Sequence, residues 1–224
     1  TNRMTQLPSL KYSHTNGGLA IHSKSSSLIC LSGNKCKTVE KYSDELLIKG
    51  YGKKKMKGET SDMQWNNLPE LAYDRINAGY VVVNDYLYAF FGYSASSNKF
   101  LQSIERLDLS KDYIGSYFEW DIIKYNKGDG VNLNLQSFIC IESKDENEII
   151  IVGGQAGSLY NDKIISLNNS TKNLSVKGKF DIRNVSFNSI KNVVPCNDGK
   201  TFFLVDNDND LIKYDSSSQQ FNLI

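Results

Sequence analysis

One phrase, written four times, limits what this chain can fold into. Leu87-Tyr-Ala-Phe-Phe-Gly92 is an apolar run that stops at a glycine; a polar tip follows, and Gln102-Ser-Ile-Glu-Arg-Leu-Asp-Leu109 resumes. The echoes are Ser27–Gly33 with Thr38–Tyr42, Glu148–Gly154 with Asp162–Leu167, and Thr201–Asp206 with Asp210–Asp215. Aligning them at Leu28, Leu87, Ile149 and Thr201 gives spacings of 59, 62 and 52 residues. A constant order with variable spacing means that loops vary while a core unit repeats. The runs are short or alternate with period two, which is strand periodicity, and no helical stripe stands out. A single meander of this kind cannot cover both of its faces. Units packed side by side around an axis can.

The chain divides into four such units, over 5–66, 67–123, 124–179 and 180–224. The first has strands at Leu19–His22, Ser27–Ser32 and Thr38–Tyr42, with a fourth starting at Gln64-Trp65. The second opens on Leu68-Pro69, an echo of Leu7-Pro8, and runs through Gly79–Val83, Tyr86–Phe91, Ser103–Asp108 and Tyr117–Ile123. Asn84-Asp85 is a two-residue hairpin turn. The third has Gln136–Ile141, Glu148–Val152, Asp162–Leu167 and a last strand near Leu174–Lys177. The fourth has Ile190–Val194, Thr201–Val205, Asp210–Asp215 and Gln220–Ile224. The first unit starts on a first strand and the last stops on a fourth, so no spare strand is expected to lock a ring shut.

Charge and composition narrow the function. With 26 basic and 25 acidic side chains the net charge is +1, so no bulk field is available to hold nucleic acid or an acidic membrane. No apolar run approaches the ~18 residues of a membrane span. The opening Thr1-Asn-Arg-Met-Thr5 does not read as a secretory leader, and a cytoplasmic chain is expected. Four cysteines without a Cys-x-x-Cys pair, and two histidines, do not make a zinc site of ordinary spacing. Cys30 and Cys140 lie inside apolar strands and read as buried reduced thiols. Asp206-Asn-Asp-Asn-Asp210 would need a glycine and a distal acid to be a calcium loop, but those positions hold Leu211 and Ser217, so it reads as a polar turn. Lys53-Lys-Lys-Met-Lys57 reads as a solvated loop tip. There is no Gly-x-Ser-x-Gly elbow. No enzymatic activity, metal, cofactor or small-molecule substrate is inferred.

The four units resemble kelch repeats, the four-stranded blades of a β-propeller with a period of roughly 50 residues. The glycine doublet after the second strand is intact at Gly153-Gly154, reduced at Ser32-Gly33 and Phe91-Gly92, and lost at Val205-Asp206. Fourth-strand tryptophans are met by Trp65 and Trp120, and the Leu-Pro…Arg opening by Leu68-Pro69 and Arg75. The resemblance implies an all-β, kelch-type propeller. Such rings usually hold more than four blades, so the chain is a four-bladed ring, part of a larger propeller, or a set of blades completed by a partner; with no strand left to lock a ring shut, a partial propeller is expected, whose open blade face calls for a partner.

By the same resemblance the chain is a non-catalytic protein-interaction scaffold. Its contacts would come from the loops between second and third strands and between blades. The candidates are Asn34 and Lys35; Arg75, Tyr93, Asn98, Lys99 and Phe100; and Gln155, Leu159 and Tyr160. Glu40, Glu105, Arg106, Asp108 and Asp215, at matching places in the third strands, read as structural, the acids bonding nearby loop amides or basic partners; the alternative is that they line one mouth of the ring. The alternatives are a structural subunit of a cytoskeletal or ciliary assembly and a propeller-based enzyme. The copper version of the latter lacks histidines, since His14 and His22 both fall in the first unit.

Overall fold

The computed structural model describes residues 6–43, 65–111, 119–143, 147–179, 190–195, 201–206, 211–215 and 220–223. The Lys53–Lys57 cluster, most of the Asp206–Asp210 turn and the first residues of the expected strand at Tyr117 lie outside them. Over the described residues the protein is all-β, with no α-helix. No helix there is long and apolar enough to cross a membrane.

The first sheet is a meander of β1 (Gly18–His22), β2 (Ser27–Gly33), β3 (Cys36–Ser43) and β4 (Asn66–Leu68). The second contains β5 (Gly79–Val83) and β6 (Tyr86–Phe90). A small separate ribbon follows, β7 (Tyr93–Ser94) with β8 (Lys99–Phe100), before β9 (Ile104–Asp108) and β10 (Asp121–Ile123) complete the second sheet. The third is larger: β11 (Asn126–Lys127), β12 (Gln136–Ser143), β13 (Glu148–Ala156), β14 (Leu159–Tyr160), β15 (Lys163–Asn168) and β16 (Asn173–Lys179). The fourth is β17 (Ile190–Pro195), β18 (Thr201–Asp206), β19 (Leu211–Asp215) and β20 (Gln220–Leu223). Within every sheet the four main strands pair antiparallel in chain order.

One detail corrects the sequence reading and another adds to it. Leu68, read as the opening of the second unit, ends the fourth strand of the first sheet, where it pairs with Val39. And the third sheet carries a strand beyond the four of its unit: β11 runs parallel to β16 and covers the outer edge, Asn126 opposite Asn173. Pairing a two-residue segment there satisfies edge amides that would otherwise face solvent or another chain.

Successive sheets meet through their first strands: β1 lies beside β5, β5 beside β12, and β12 beside β17. The core sits between the sheets. Ile29, Leu31 and Val39 of the first sheet pack with Leu87, Ala89 and Leu107 of the second. On the other side, Tyr88, Phe90 and Ile104 of the second pack with Phe138, Ile149 and Ile151 of the third. This explains why Leu87–Phe91 is a continuous apolar run: β6 alternates its side chains between two neighbours, so both faces are dry. Leu87, Ala89, Phe90 and Phe91 are fully buried. Each large side chain so covered contributes about 1.5–3 kcal/mol by leaving water.

Candidate functional site

The loops at one end of the sheets are held by a repeated polar knot. In the second sheet Arg75 and Glu105 are both 0% exposed and form an ion pair of 2.7 Å. Arg75 Nη2 also donates to Ser103 Oγ at 2.8 Å, and its Nη1 donates to the carbonyl of Phe91 at 2.5 Å. The other Glu105 oxygen accepts the Ala72 amide at 2.7 Å. In the first sheet Glu40 accepts the Lys11 and Tyr12 amides, at 2.9 and 3.2 Å. The imidazole of His14 stands where the guanidinium stands in the second sheet, with Nε2 2.9 Å from Glu40 and Nδ1 2.8 Å from the carbonyl of Ser32. These acids therefore bond loop amides and a base, as the sequence reading expects of Glu40 and Glu105. In the third sheet the register puts Ile165 opposite Ile151, the place that Glu105 takes opposite Ala89. Leu135, directly before β12, takes the place of Arg75. Both are fully buried, so an apolar pair replaces the charged one.

Two more contacts repeat. The indole N–H of Trp65 donates to the carbonyl of Pro8 at 2.9 Å, and that of Trp120 to the carbonyl of Pro69 at 2.8 Å. The turn after each second strand keeps one backbone shape despite unlike residues: Ser32, Phe91 and Gly153 all have positive φ, of 53°, 45° and 73°. The next residue is glycine in all three, and there space decides. A Cβ at Gly154 would lie 2.8 Å from the Cβ of Phe138, and one at Gly92 2.8 Å from the Cβ of Ala78. The first position only asks for a left-handed residue, which Phe91 supplies at some strain while filling the core beside Phe90 and Phe138.

On these knots sit the loop tips. Asp74, buried, accepts Ser94 Oγ at 2.7 Å and the amides of Ala95 and Ser96 at 3.0 and 3.1 Å. Burial pushes its carboxyl up, but these hydrogen bonds outweigh burial and hold it below the usual carboxylate range. Tyr93 packs edge-on against Phe100, 5.5 Å between centroids, and its hydroxyl donates to Asn98. In the third sheet Asn161 donates to the carbonyls of Gly153 and Lys163, at 2.9 and 2.8 Å, and closes the β13–β14 ribbon.

The structure sorts the candidates. Asn34, Lys35, Asn98 and Lys99 are exposed, while Tyr93, Phe100 and Gln155 are half-buried. Leu159 is 73% and Tyr160 48% exposed. Arg75 is the correction: expected on the contact surface, it is buried and its guanidinium is used up inside the protein. Asn34 and Lys35 line a cavity of about 520 Å³ with Tyr12 and Glu70. Lys99 and Phe100 line a smaller one of about 250 Å³ with Tyr73. Tyr12, 43% exposed, was missed because its polar segment carries no strand signal. Among the described residues no cluster of His, Cys, Asp and Glu could hold a metal ion. Cys140 is buried, and burial pushes its thiol well up; Cys30 is only half-buried, with its thiol raised by burial and then by Glu40. Comparison of the chain with protein-family models and with curated proteins returns no match.

Proposed function

We propose that the chain forms part of a kelch-type β-propeller and acts as a non-catalytic cytoplasmic scaffold, binding a protein partner through the loop end that carries the turns between second and third strands. Face-to-face sheets that succeed one another through their first strands support the propeller reading. The observation that carries the binding reading is the β13–β14 tip, where Leu159 and Tyr160 stand exposed on a ribbon closed by Asn161. Rigidly held, exposed apolar and aromatic side chains make good anchors. The test immobilises the purified chain and compares wild type with a Leu159→Ser, Tyr160→Ala variant. The variant is expected to lose the partner that wild type retains at an unchanged melting temperature. Equal retention by both refutes the reading.

A second reading, a subunit whose open side is covered by neighbours in a large cytoskeletal or ciliary assembly, is favoured by the first sheet. Leu19 and Ile21 are 60% and 61% exposed. Their counterparts in the second sheet, Tyr80 and Val82, pack against the first. A soluble, cooperatively unfolding monomer of this chain would count against it.

A further inference from the structure

Each sheet has two unlike faces. The rear face of the second sheet, turned toward the first, carries Tyr80 and Val82 of β5 with Leu87 and Ala89 of β6. Its front face, turned toward the third, carries Tyr88 and Phe90. Ile29 and Leu31 belong to the front face of the first sheet, and Ile149 and Ile151 to the rear face of the third. Both of these joints set a front face on a rear face.

The strand registers find the same positions at the two ends of the series. Leu19 lies opposite Cys30 and Ile21 opposite Leu28, as Tyr80 lies opposite Ala89 and Val82 opposite Leu87. These four residues form the rear face of the first sheet. Leu19 and Ile21 are exposed, and Leu28 and Cys30 half-buried, whereas Leu87 and Ala89, with a sheet over them, are 0% exposed. In the fourth sheet Phe203 lies opposite Lys213, as Tyr88 lies opposite Arg106 and Ile29 opposite Lys41. Phe203 therefore belongs to its front face, and Val205, two residues on, shares that face. Both are half-buried, while Tyr88 and Phe90, which the third sheet covers, are buried. The fourth sheet does not cover the first, since Leu19 and Ile21 would then be out of water.

A free rear face and a free front face on one chain select the occupant. They are the two halves of the joint that this protein already makes between its own sheets. A second copy offers its front face to this rear face and its rear face to this front face, so both pairs close together and the contact does not propagate. Four sheets from each copy make eight, and propellers close with about four to eight blades, so a third copy has no place. We propose that two copies of the chain close into one eight-bladed ring, the first sheet of each against the fourth sheet of the other. The inference rests on the propeller reading; it concerns the sheet faces and does not depend on the Leu159–Tyr160 tip.

The test is sedimentation velocity on the purified chain at micromolar concentrations. Wild type is expected to sediment as a dimer of the 25.3 kDa chain. Leu19→Lys, Ile21→Lys spoils the rear face and Phe203→Lys the front face, each checked for the circular dichroism spectrum of wild type. Each variant alone is expected to be monomeric. The rear-face variant is expected to associate about a hundredfold more weakly, roughly tenfold for each aliphatic side chain kept from burial. Mixed, the two variants are expected to dimerise again, since one sound rear face then meets one sound front face. If Phe203→Lys does not fold, Val205→Lys replaces it; if neither folds, the rear-face variant alone decides. A dimer that the rear-face variant leaves intact overturns the proposal. So does a front-face variant that still dimerises, which would set rear face on rear face. A monomeric wild type overturns this inference and leaves the propeller reading standing. An elongated pair in X-ray scattering from the wild-type dimer, in place of a closed disc, overturns both.

Discussion

Replacing the Arg75–Glu105 pair by the residues of the third sheet tests whether the units are physically interchangeable. Arg75→Leu alone leaves Glu105 buried at 0% exposure, with the Ala72 amide as its remaining bonded partner. Breaking a buried pair in this way costs about 3–5 kcal/mol. The double variant Arg75→Leu, Glu105→Ile installs the apolar pair found at Leu135 and Ile165. Exchanging a buried ion pair for apolar residues is neutral or stabilising by about 1–4 kcal/mol. Against that, the Ala72 amide and the carbonyls of Phe91 and Ser103 lose partners that the charged groups supply. At about 1–3 kcal/mol for a group left unsatisfied, the double variant is expected to be less stable than wild type yet more stable than Arg75→Leu. The expected coupling is about 2 kcal/mol or more, toward the upper end for neighbours in one network. Urea unfolding of wild type, both single variants and the double variant, followed by tryptophan fluorescence, measures it. Additive losses would refute the idea that Leu135 and Ile165 do the work of the ion pair.

Two further outcomes follow from the turns. Gly154→Ala places a Cβ against Phe138 and the Gln136 carbonyl and is expected to cost more than Gly157→Ala, whose Cβ meets nothing within 4 Å; thermal melts giving equal losses would contradict the packing argument. Asp74 has a folded-state pKa below its unfolded value, so its stabilisation of the 93–100 tip is present above about pH 4 and is lost as the pH falls through the lower, folded value. The Ala95 and Ser96 amide resonances are expected to titrate together below the ordinary carboxylate midpoint of about 3.9 and to stop titrating in Asp74→Asn; a midpoint at or above that value removes the argument.

The sequence displayed the central strands because Leu87–Phe91 and Ile149–Val152 are unbroken apolar runs buried along their length, and such runs leave a clear composition signal. It displayed Glu40 and Glu105 because both precede a basic residue in a recognisable third strand. It hid the knots themselves. Arg75 sits in a polar segment that reads as surface, 30 residues from the carboxylate that buries it. His14 fills the same place with a different side chain, and Leu135 with a third, so letter-by-letter comparison does not align them. The β7–β8 ribbon and the parallel β11 escaped for another reason: a two-residue strand has no periodicity. The Trp65 and Trp120 bonds to proline carbonyls were half legible, since both Leu-Pro echoes and both tryptophans were visible but not their pairing.

The sheets are also joined by their main chains. The amide of Asn77 donates to the carbonyl of Asn16 at 3.0 Å, and the amide of Ser137 to the carbonyl of Asn77 at 2.8 Å. All three residues are left-handed, with φ of 57°, 52° and 56°. A peptide-to-peptide link is indifferent to the side chain that hangs beside it, provided that the residue tolerates the conformation. Mutational drift can therefore rewrite the letters around each junction while leaving the junction standing. A lineage built this way can diverge unit by unit, exchanging an arginine for a histidine or a leucine, without ever passing through an unjoined intermediate.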